Sequence, residues 1–245
     1  MRKFGLIGHP LTHSFSKKYF TEKFENEGIE GCSYELYDIP NARDLEGILR
    51  ENPEIEGINV TIPHKEDVIA LLDDLDEACE EIGAVNCIHI QDGMLTGYNT
   101  DYIGFKNSLL PMLGAVKPKA LVLGTGGASK AVKQALKDLA IEFISVSRSE
   151  DEDQITYEDL SADPEIMRTH RLIVNTTPLG TFPNVEGVPA IPMEQLTSAH
   201  LVYDLVYNPP VTALMKACMD KGGKAKNGQE MLMLQAEAAW EIWNS

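Results

Sequence analysis

The sequence predicts an α/β fold divided into two domains. Three observations carry this. Short β-branched runs alternate with longer amphipathic stretches, the pattern of βαβ units on a largely parallel sheet. A glycine-rich strand–turn–helix opens a second series after Pro118. The 245 residues suffice for one large domain or two small ones.

In chain order, Lys3–Gly8 reads as a strand, Lys17–Glu27 as a helix, Ser33–Ile39 as a strand and Ala42–Glu51 as a helix. Gly57–Thr61 is a third strand, and Lys65–Leu72 starts another helix. Cys87–Ile90 and Met94–Gly97 form a hairpin in which Asp92-Gly93 makes the turn. The stretch 102–117 reads as the domain boundary. Beyond it, Lys119–Gly124 is a strand, Thr125–Ser129 a turn, Lys130–Leu139 a helix and Glu142–Ser147 a strand. Leu172–Asn175 and Leu201–Leu205 repeat the strand pattern, and Gln229–Trp243 is the last helix. Periodicity does not decide which domain that helix joins.

Composition narrows the function. Lys+Arg of 21 against Asp+Glu of 38 gives a net charge of −17, with no basic stripe to track nucleic-acid phosphates. The first residues enter a strand rather than a secretory apolar region, and no stretch approaches the ~20 apolar residues of a membrane helix. Cys32, Cys79, Cys87 and Cys218 show no CxxC pairing. They read as reduced, buried thiols rather than a disulfide or zinc framework. The expectation is a soluble, cytoplasmic protein without metal, membrane or nucleic-acid partners.

Gly124-Thr125-Gly126-Gly127-Ala128-Ser129 follows a strand and opens a helix. In that setting Gly124 permits a tight turn, and Gly126 lets backbone approach a pyrophosphate. The N–H groups of the helix start then face its charge. Ser129 replaces the third glycine of G-x-G-x-x-G, and a plain flexible turn is the competing explanation. The strand–helix–strand context favours a Rossmann-like dinucleotide site. An NAD site places a carboxylate about 20 residues past the glycines, whereas an NADP site offers arginine to the 2′-phosphate. Here the strand ends Ser147-Arg148-Ser149, which points to NADP. The following Glu150-Asp151-Glu152-Asp153 would repel a dianion, or is simply a solvated loop.

Polar clusters end the strands of the first half: His13-Ser14-Phe15-Ser16, Asn59-Val60-Thr61-Ile62-Pro63-His64-Lys65, Gly83-Ala84-Val85-Asn86 and Asn99-Thr100-Asp101. Ligands of open α/β sheets gather at such ends, and hydroxyls, amides and a Lys–Asp pair suit a polyhydroxylated carboxylate. Each cluster also has an ordinary explanation: Ser14 and Asp101 as helix N-caps, Asn86 and Asn99 as turn residues, Lys65 as a surface lysine. His64 reads as structural or solvent-facing.

Taken together these blocks resemble the shikimate dehydrogenase family. Its S-x-S is similar to Ser14-Phe15-Ser16, its N-V-T-x-P-x-K to Asn59–Lys65, its G-A-V-N to Gly83–Asn86, its N-T-D to Asn99–Asp101 and its G-x-G-G-A-S to Gly124–Ser129. Later blocks resemble Asn175–Gly180, Asp204–Pro209 and Gly228–Gln235, in the family's order over nearly the whole chain.

The resemblance implies NADPH-dependent reduction of 3-dehydroshikimate to shikimate, in chorismate and aromatic amino acid biosynthesis. It implies that Lys65 transfers the proton with Asp101 as its partner, and that Ser14, Ser16, Thr61, Asn86, Asp101, Tyr207 and Gln235 bind the substrate. Gly124, Thr125, Gly126, Gly127, Ala128, Ser147, Arg148 and Ser149 hold phosphates and adenosine, Leu205 and Gly228 line the nicotinamide end, and Glu77 contributes near it. The implied domains are a substrate domain over 1–101, completed by the terminal helix 228–245, and a Rossmann-like domain over 102–227, with a cleft between them. The expected assembly is a monomer or homodimer.

Three departures stand out. Lys17 occupies the family's usual proline position, the acidic run replaces a second basic residue after Arg148, and the chain is compact between Ser147 and Arg171. The alternatives are a quinate/shikimate dehydrogenase using NAD, an aminoshikimate-type relative, or a non-catalytic dinucleotide-binding protein on the same fold.

Overall fold

The structure is a computed structural model and describes residues 1–11, 14–114, 117–151 and 153–245. His13 and Glu152, named above, lie outside the described residues. The chain forms two compact units, Met1–Thr100 with Gln235–Ser245, and Asp101–Leu234.

The first unit contains β1 (Arg2–Gly8), α1 (Phe15–Asn26), β2 (Cys32–Asp38), α2 (Asp44–Glu51), β3 (Ile55–Val60), β4 (Asp74–Leu75), α3 (Glu77–Ile82), β5 (Cys87–Gln91) and β6 (Met94–Tyr98). Its sheet runs β2-β1-β3-β5-β6-β4. β2, β1 and β3 are parallel, and β5 pairs antiparallel with both β3 and β6. Asp92 (φ 52°) and Gly93 (φ 81°) are both left-handed, so the predicted hairpin turn forms with Gln91 opposite Met94. One face buries Ile7, Ile58, Val60 and Ile88 under Leu45 of α2. The other buries Phe4, Tyr34 and Cys87 under Phe20 and Phe24 of α1 and under Ala236, Ala239 and Trp243. The Trp243 indole stacks on Phe4 at 4.9 Å and donates to the Ile88 carbonyl at 3.0 Å.

The second unit contains α4 (Thr100–Leu113, whose first residue belongs to the first unit), β7 (Ala120–Leu123), α5 (Gly127–Asp138), β8 (Phe143–Ser147), β9 (Gln154–Thr156), α6 (Tyr157–Ala162), α7 (Pro164–Thr169), β10 (Leu172–Asn175), β11 (Leu201–Asp204), α8 (Ala213–Asp220) and β12 (Lys224–Asn227). The terminal helix α9 (Gln229–Ile242) begins in this unit and ends in the first. All strands are parallel in the order β12-β11-β10-β7-β8-β9. Numbered from β7, that is the 3-2-1-4-5-6 order of a doubly wound nucleotide-binding sheet, with its switch point between β7 and β10. The central strands β7 and β10 are apolar on both faces. Ala120, Val122 and Val174 join one core, while Leu121, Leu123 and Ile173 join the other.

Several expectations are corrected. Lys65–Leu72 is not an α-helix but a short 3₁₀ turn over Asp67–Leu71. The boundary stretch 102–117 is largely helix: Gly104 and Pro111 disguise α4, which is held by the buried Phe105, Leu109 and Leu113 at helical spacing. The turn read over Thr125–Ser129 ends sooner, because α5 starts at Gly127 with Gly126 as its N-cap. Of the two readings of His64 the structural one holds, since it is buried with its Nε2 2.7 Å from the Ile39 carbonyl. The four cysteines are free thiols, three of them buried.

Candidate active site

In the first unit the polar clusters are wired together through buried side chains. Tyr34 on β2 donates its phenol to Asn59 Oδ1 on β3 at 2.8 Å. Burial holds that phenol well above its ordinary pKa, so it stays a donor. Asn59 Nδ2 donates to the Asn86 carbonyl at 3.2 Å. Asn86 Oδ1 accepts the Thr100 N–H at 2.6 Å, which caps the start of α4. The Thr100 hydroxyl lies 3.2 Å from Asn86 Oδ1 and 3.4 Å from Gln235 Oε1. Tyr34, Asn59, Asn86, Thr100 and Gln235 are all buried, yet each is matched, as buried amides must be. With Oδ1 committed to Thr100, Asn86 presents Nδ2 as its remaining donor.

The other candidates sit around this chain. Ser14 caps α1, its Oγ accepting the Lys17 N–H at 3.2 Å. A proline at position 17 has no such N–H, so this departure changes the local bonding of Ser14 itself. Thr61 follows β3 and donates its N–H to the Ile7 carbonyl at 2.9 Å. Lys65 is half-buried, and its carbonyl accepts from Val85 at 2.7 Å, tying the lysine's loop to the segment that carries Asn86. Asp101 lies in the first turn of α4, one residue after the capped Thr100; it is not the cap. Glu77 is the exposed first residue of α3. Sequence reasoning missed Tyr34 and passed over Asn59 as a side chain. Tyr34 lies inside the mixed polar and apolar run of β2, where nothing in the pattern singles it out from Tyr37.

In the second unit the switch point opens into a cavity of about 820 Å³, lined among others by Gly124, Thr125 and Gly126, by Ser147, Arg148 and Ser149, and by Thr176 and Thr177 after β10. Gly124 has φ +103°, and a Cβ there would meet Thr176 Oγ1 at 2.9 Å, so the turn needs glycine. No atom lies within 4 Å of where a Cβ would stand at Gly126 or Gly127, which leaves the start of α5 bare on that side. A bare helix start beside an exposed arginine fits the phosphates of a dinucleotide. Gly127 and Ala128 are the first two residues of α5 and are not part of the cavity wall.

Leu205 and Gly228 are also off that wall, and they meet each other. A Cβ at Gly228 would fall on the Leu205 carbonyl, so only glycine lets the two loops pack. Tyr207 is 45% exposed, on the loop held by Asp204. Asp204 is buried and accepts from Asn175 Nδ2 (2.9 Å), the Val206 N–H (3.1 Å) and the Thr212 hydroxyl (2.6 Å). Burial raises its carboxyl pKa, and the three donors oppose that rise. Among the described residues no cluster of His, Cys, Asp or Glu has a metal-binding arrangement, and no helix is long and apolar enough to cross a membrane.

Comparison with known proteins places this geometry. The family model described as the shikimate dehydrogenase substrate binding domain matches residues 6–88. A protein of Clostridium beijerinckii named shikimate dehydrogenase (NADP(+)) is 39% identical over 257 residues, covering 99% of this chain and 92% of that protein. The Thermus thermophilus shikimate 5-dehydrogenase, crystallised with NADP(H) and shikimate, superposes with a TM-score of 0.86 at 33% identity, over 99% of this chain and 93% of that one. The Listeria monocytogenes shikimate 5-dehydrogenase, crystallised with shikimate and NAD, gives a TM-score of 0.89 at 26% identity, over 100% of this chain and 92% of that one. With two α/β units, a cavity at the switch point of the second and 39% identity to a shikimate dehydrogenase over 99% of its length, the chain belongs to the shikimate dehydrogenase family.

Proposed function

We propose that this chain is an NADP-dependent oxidoreductase that interconverts 3-dehydroshikimate and shikimate, a step of chorismate and aromatic amino acid biosynthesis. The observation that carries this reading is the 39% identity to an NADP-dependent relative over 99% of the chain. NADP supplies or accepts the hydride. The protein's own residues must then bind the substrate's carboxylate and hydroxyls and move one proton to or from the carbonyl oxygen. Lys65 and Asp101 are assigned to that proton, because a lysine ammonium can donate a proton and a carboxylate can accept or orient one. Ser14, Ser16, Thr61, Asn86, Tyr207 and Gln235 are assigned to the substrate, with Asn86 acting through Nδ2. The glycine turn, Ser147–Ser149, Leu205, Gly228 and Glu77 are assigned to the cofactor. A reducing cytoplasm suits the four free thiols.

NAD is the second reading, since the Listeria neighbour was crystallised with it. Arg148 on the cavity wall, with no described carboxylate beside it there, favours NADP. Following absorbance at 340 nm with shikimate or quinate, each with NADP or NAD, tests the proposal. The highest kcat/KM is expected for shikimate with NADP. A higher value with NAD or quinate selects the alternative, and no reduction in any pairing removes the enzymatic reading.

A further inference from the structure

The cavity wall changes character after Ser149. Glu150, Asp151 and Asp153 are exposed and none of them lines it; the wall resumes at Tyr157. Gln154 Nε2 donates to the Ser149 carbonyl at 2.9 Å, and Asp151 bridges Gln154. β9 lies parallel to β8 with Thr156 opposite Ser147; Arg148 and Tyr157 each follow directly after that last pair, and both line the cavity. The Tyr157 ring is half-buried and packs on the core that contains Val146 and Leu160. Burial raises the phenol's pKa and the Arg148 charge pulls it back, so the phenol is a protonated donor within reach of that charge at neutral pH. Arg148 is exposed, and no described carboxylate forms an ion pair with it.

We propose that Tyr157 and Arg148 together form the subsite for the adenosine 2′-phosphate, with the Tyr157 phenol donating to a phosphate oxygen while Arg148 supplies the charge. This rests on the NADP reading above and goes beyond it by assigning the second polar group of the subsite to a phenol in place of a cation. A hydrogen bond to a charged phosphate oxygen is worth more than one to a neutral ribose hydroxyl. The phenol therefore favours the phosphorylated ribose, while the exposed carboxylates 150, 151 and 153 stay off the wall.

The test is calorimetric titration of the full chain, wild type and Tyr157→Phe, with adenosine 2′,5′-bisphosphate and with AMP. Phenylalanine keeps the ring on the core and removes only the hydroxyl. The expected result is about a tenfold loss of affinity for the bisphosphate, with AMP affinity within about twofold of wild type. Unchanged bisphosphate affinity overturns the proposal, and so does an equal loss for both ligands, which would make Tyr157 only an adenine wall. Arg148→Ala is titrated in parallel. If wild type does not prefer the bisphosphate and Arg148→Ala changes nothing, the NADP reading itself has failed, an outcome distinct from a Tyr157→Phe failure on an intact preference.

Discussion

The two units handle polar chemistry in opposite ways. In the first, the candidate groups are side chains buried between strands and bonded to one another, from Tyr34 through Asn59 and Asn86 to Thr100 and Gln235. In the second, both faces of an all-parallel sheet are apolar core, and polar groups gather at the strand ends around an open cavity. The sheets account for the difference. Helices on both faces of a parallel sheet leave nowhere for a polar side chain except beyond the carboxyl ends. The antiparallel β3–β5–β6 arrangement instead brings Asn59 and Asn86 together inside the layer, where matched amides are tolerated. A small hydroxylated acid calls for directional donors held rigidly, whereas a dinucleotide is met by backbone and exposed charge. Binding and stability should therefore be entangled in the first unit and separable in the second.

The largest expected effect is at Lys65. Lys65→Ala should lower turnover by about 10²-fold or more, the scale of general acid–base loss, with a thermal midpoint close to wild type. Steady-state kinetics alongside a melting curve checks both, and near-normal turnover would remove the assignment.

Next comes the contrast itself. Asn86→Ala removes the cap on Thr100 and should cost about 1–3 kcal/mol in denaturant unfolding. Arg148→Ala removes an exposed side chain and should stay within about 0.5 kcal/mol. Similar costs for the two variants would break the comparison.

Kinetics sharpen it further. Arg148→Ala should raise KM for NADP by about tenfold and leave KM for NAD nearly unchanged. Gln235→Ala should weaken shikimate binding and spare the dinucleotide. Separate titrations distinguish these outcomes, and a loss of both ligands in either variant would contradict the division of labour.

The subtlest readout, a slope of stability against pH, is expected at Asp204, a buried carboxylate of the second unit held by several donors. Its pKa is raised by burial, so between the ordinary and the raised value the folded state holds a proton that the unfolded state has released. Stability must then fall as pH rises through that window and level off above it. Asp204→Asn cannot titrate and should flatten that slope. It should also cost about 1–3 kcal/mol at neutral pH, because an amide NH2 in place of Oδ2 would face the Thr212 hydroxyl, which donates to that oxygen and already accepts from the Met215 N–H. Unfolding across a pH series of both proteins gives the comparison, and parallel slopes would exclude Asp204 as the titrating group.

Much of this was legible before folding. The hairpin at Asp92-Gly93, the strand Leu172–Asn175 and the phosphate turn at Gly124 are local. A turn that needs two left-handed residues, a strand apolar on both faces and a glycine at φ +103° each leave their mark on a few adjacent residues. The motif blocks likewise named the side chains assigned to the chemistry, because short spacings place them at strand ends.

Tertiary structure decided what depends on distant partners. β9 and β12 are edge strands of three and four residues, and only pairing with β8 and β11 makes them strands. α4 overrides Gly104 and Pro111 because Phe105, Leu109 and Leu113 find a core to enter. Tyr34 acquires its role only when β2 lies beside β1 and its phenol reaches Asn59, 25 positions away. Tyr157 and Arg148 come to line one cavity only because β9 pairs beside β8. Sequence spells out conformations set by neighbouring residues along the chain, but which polar groups meet is set by strand register and burial, which no local pattern encodes.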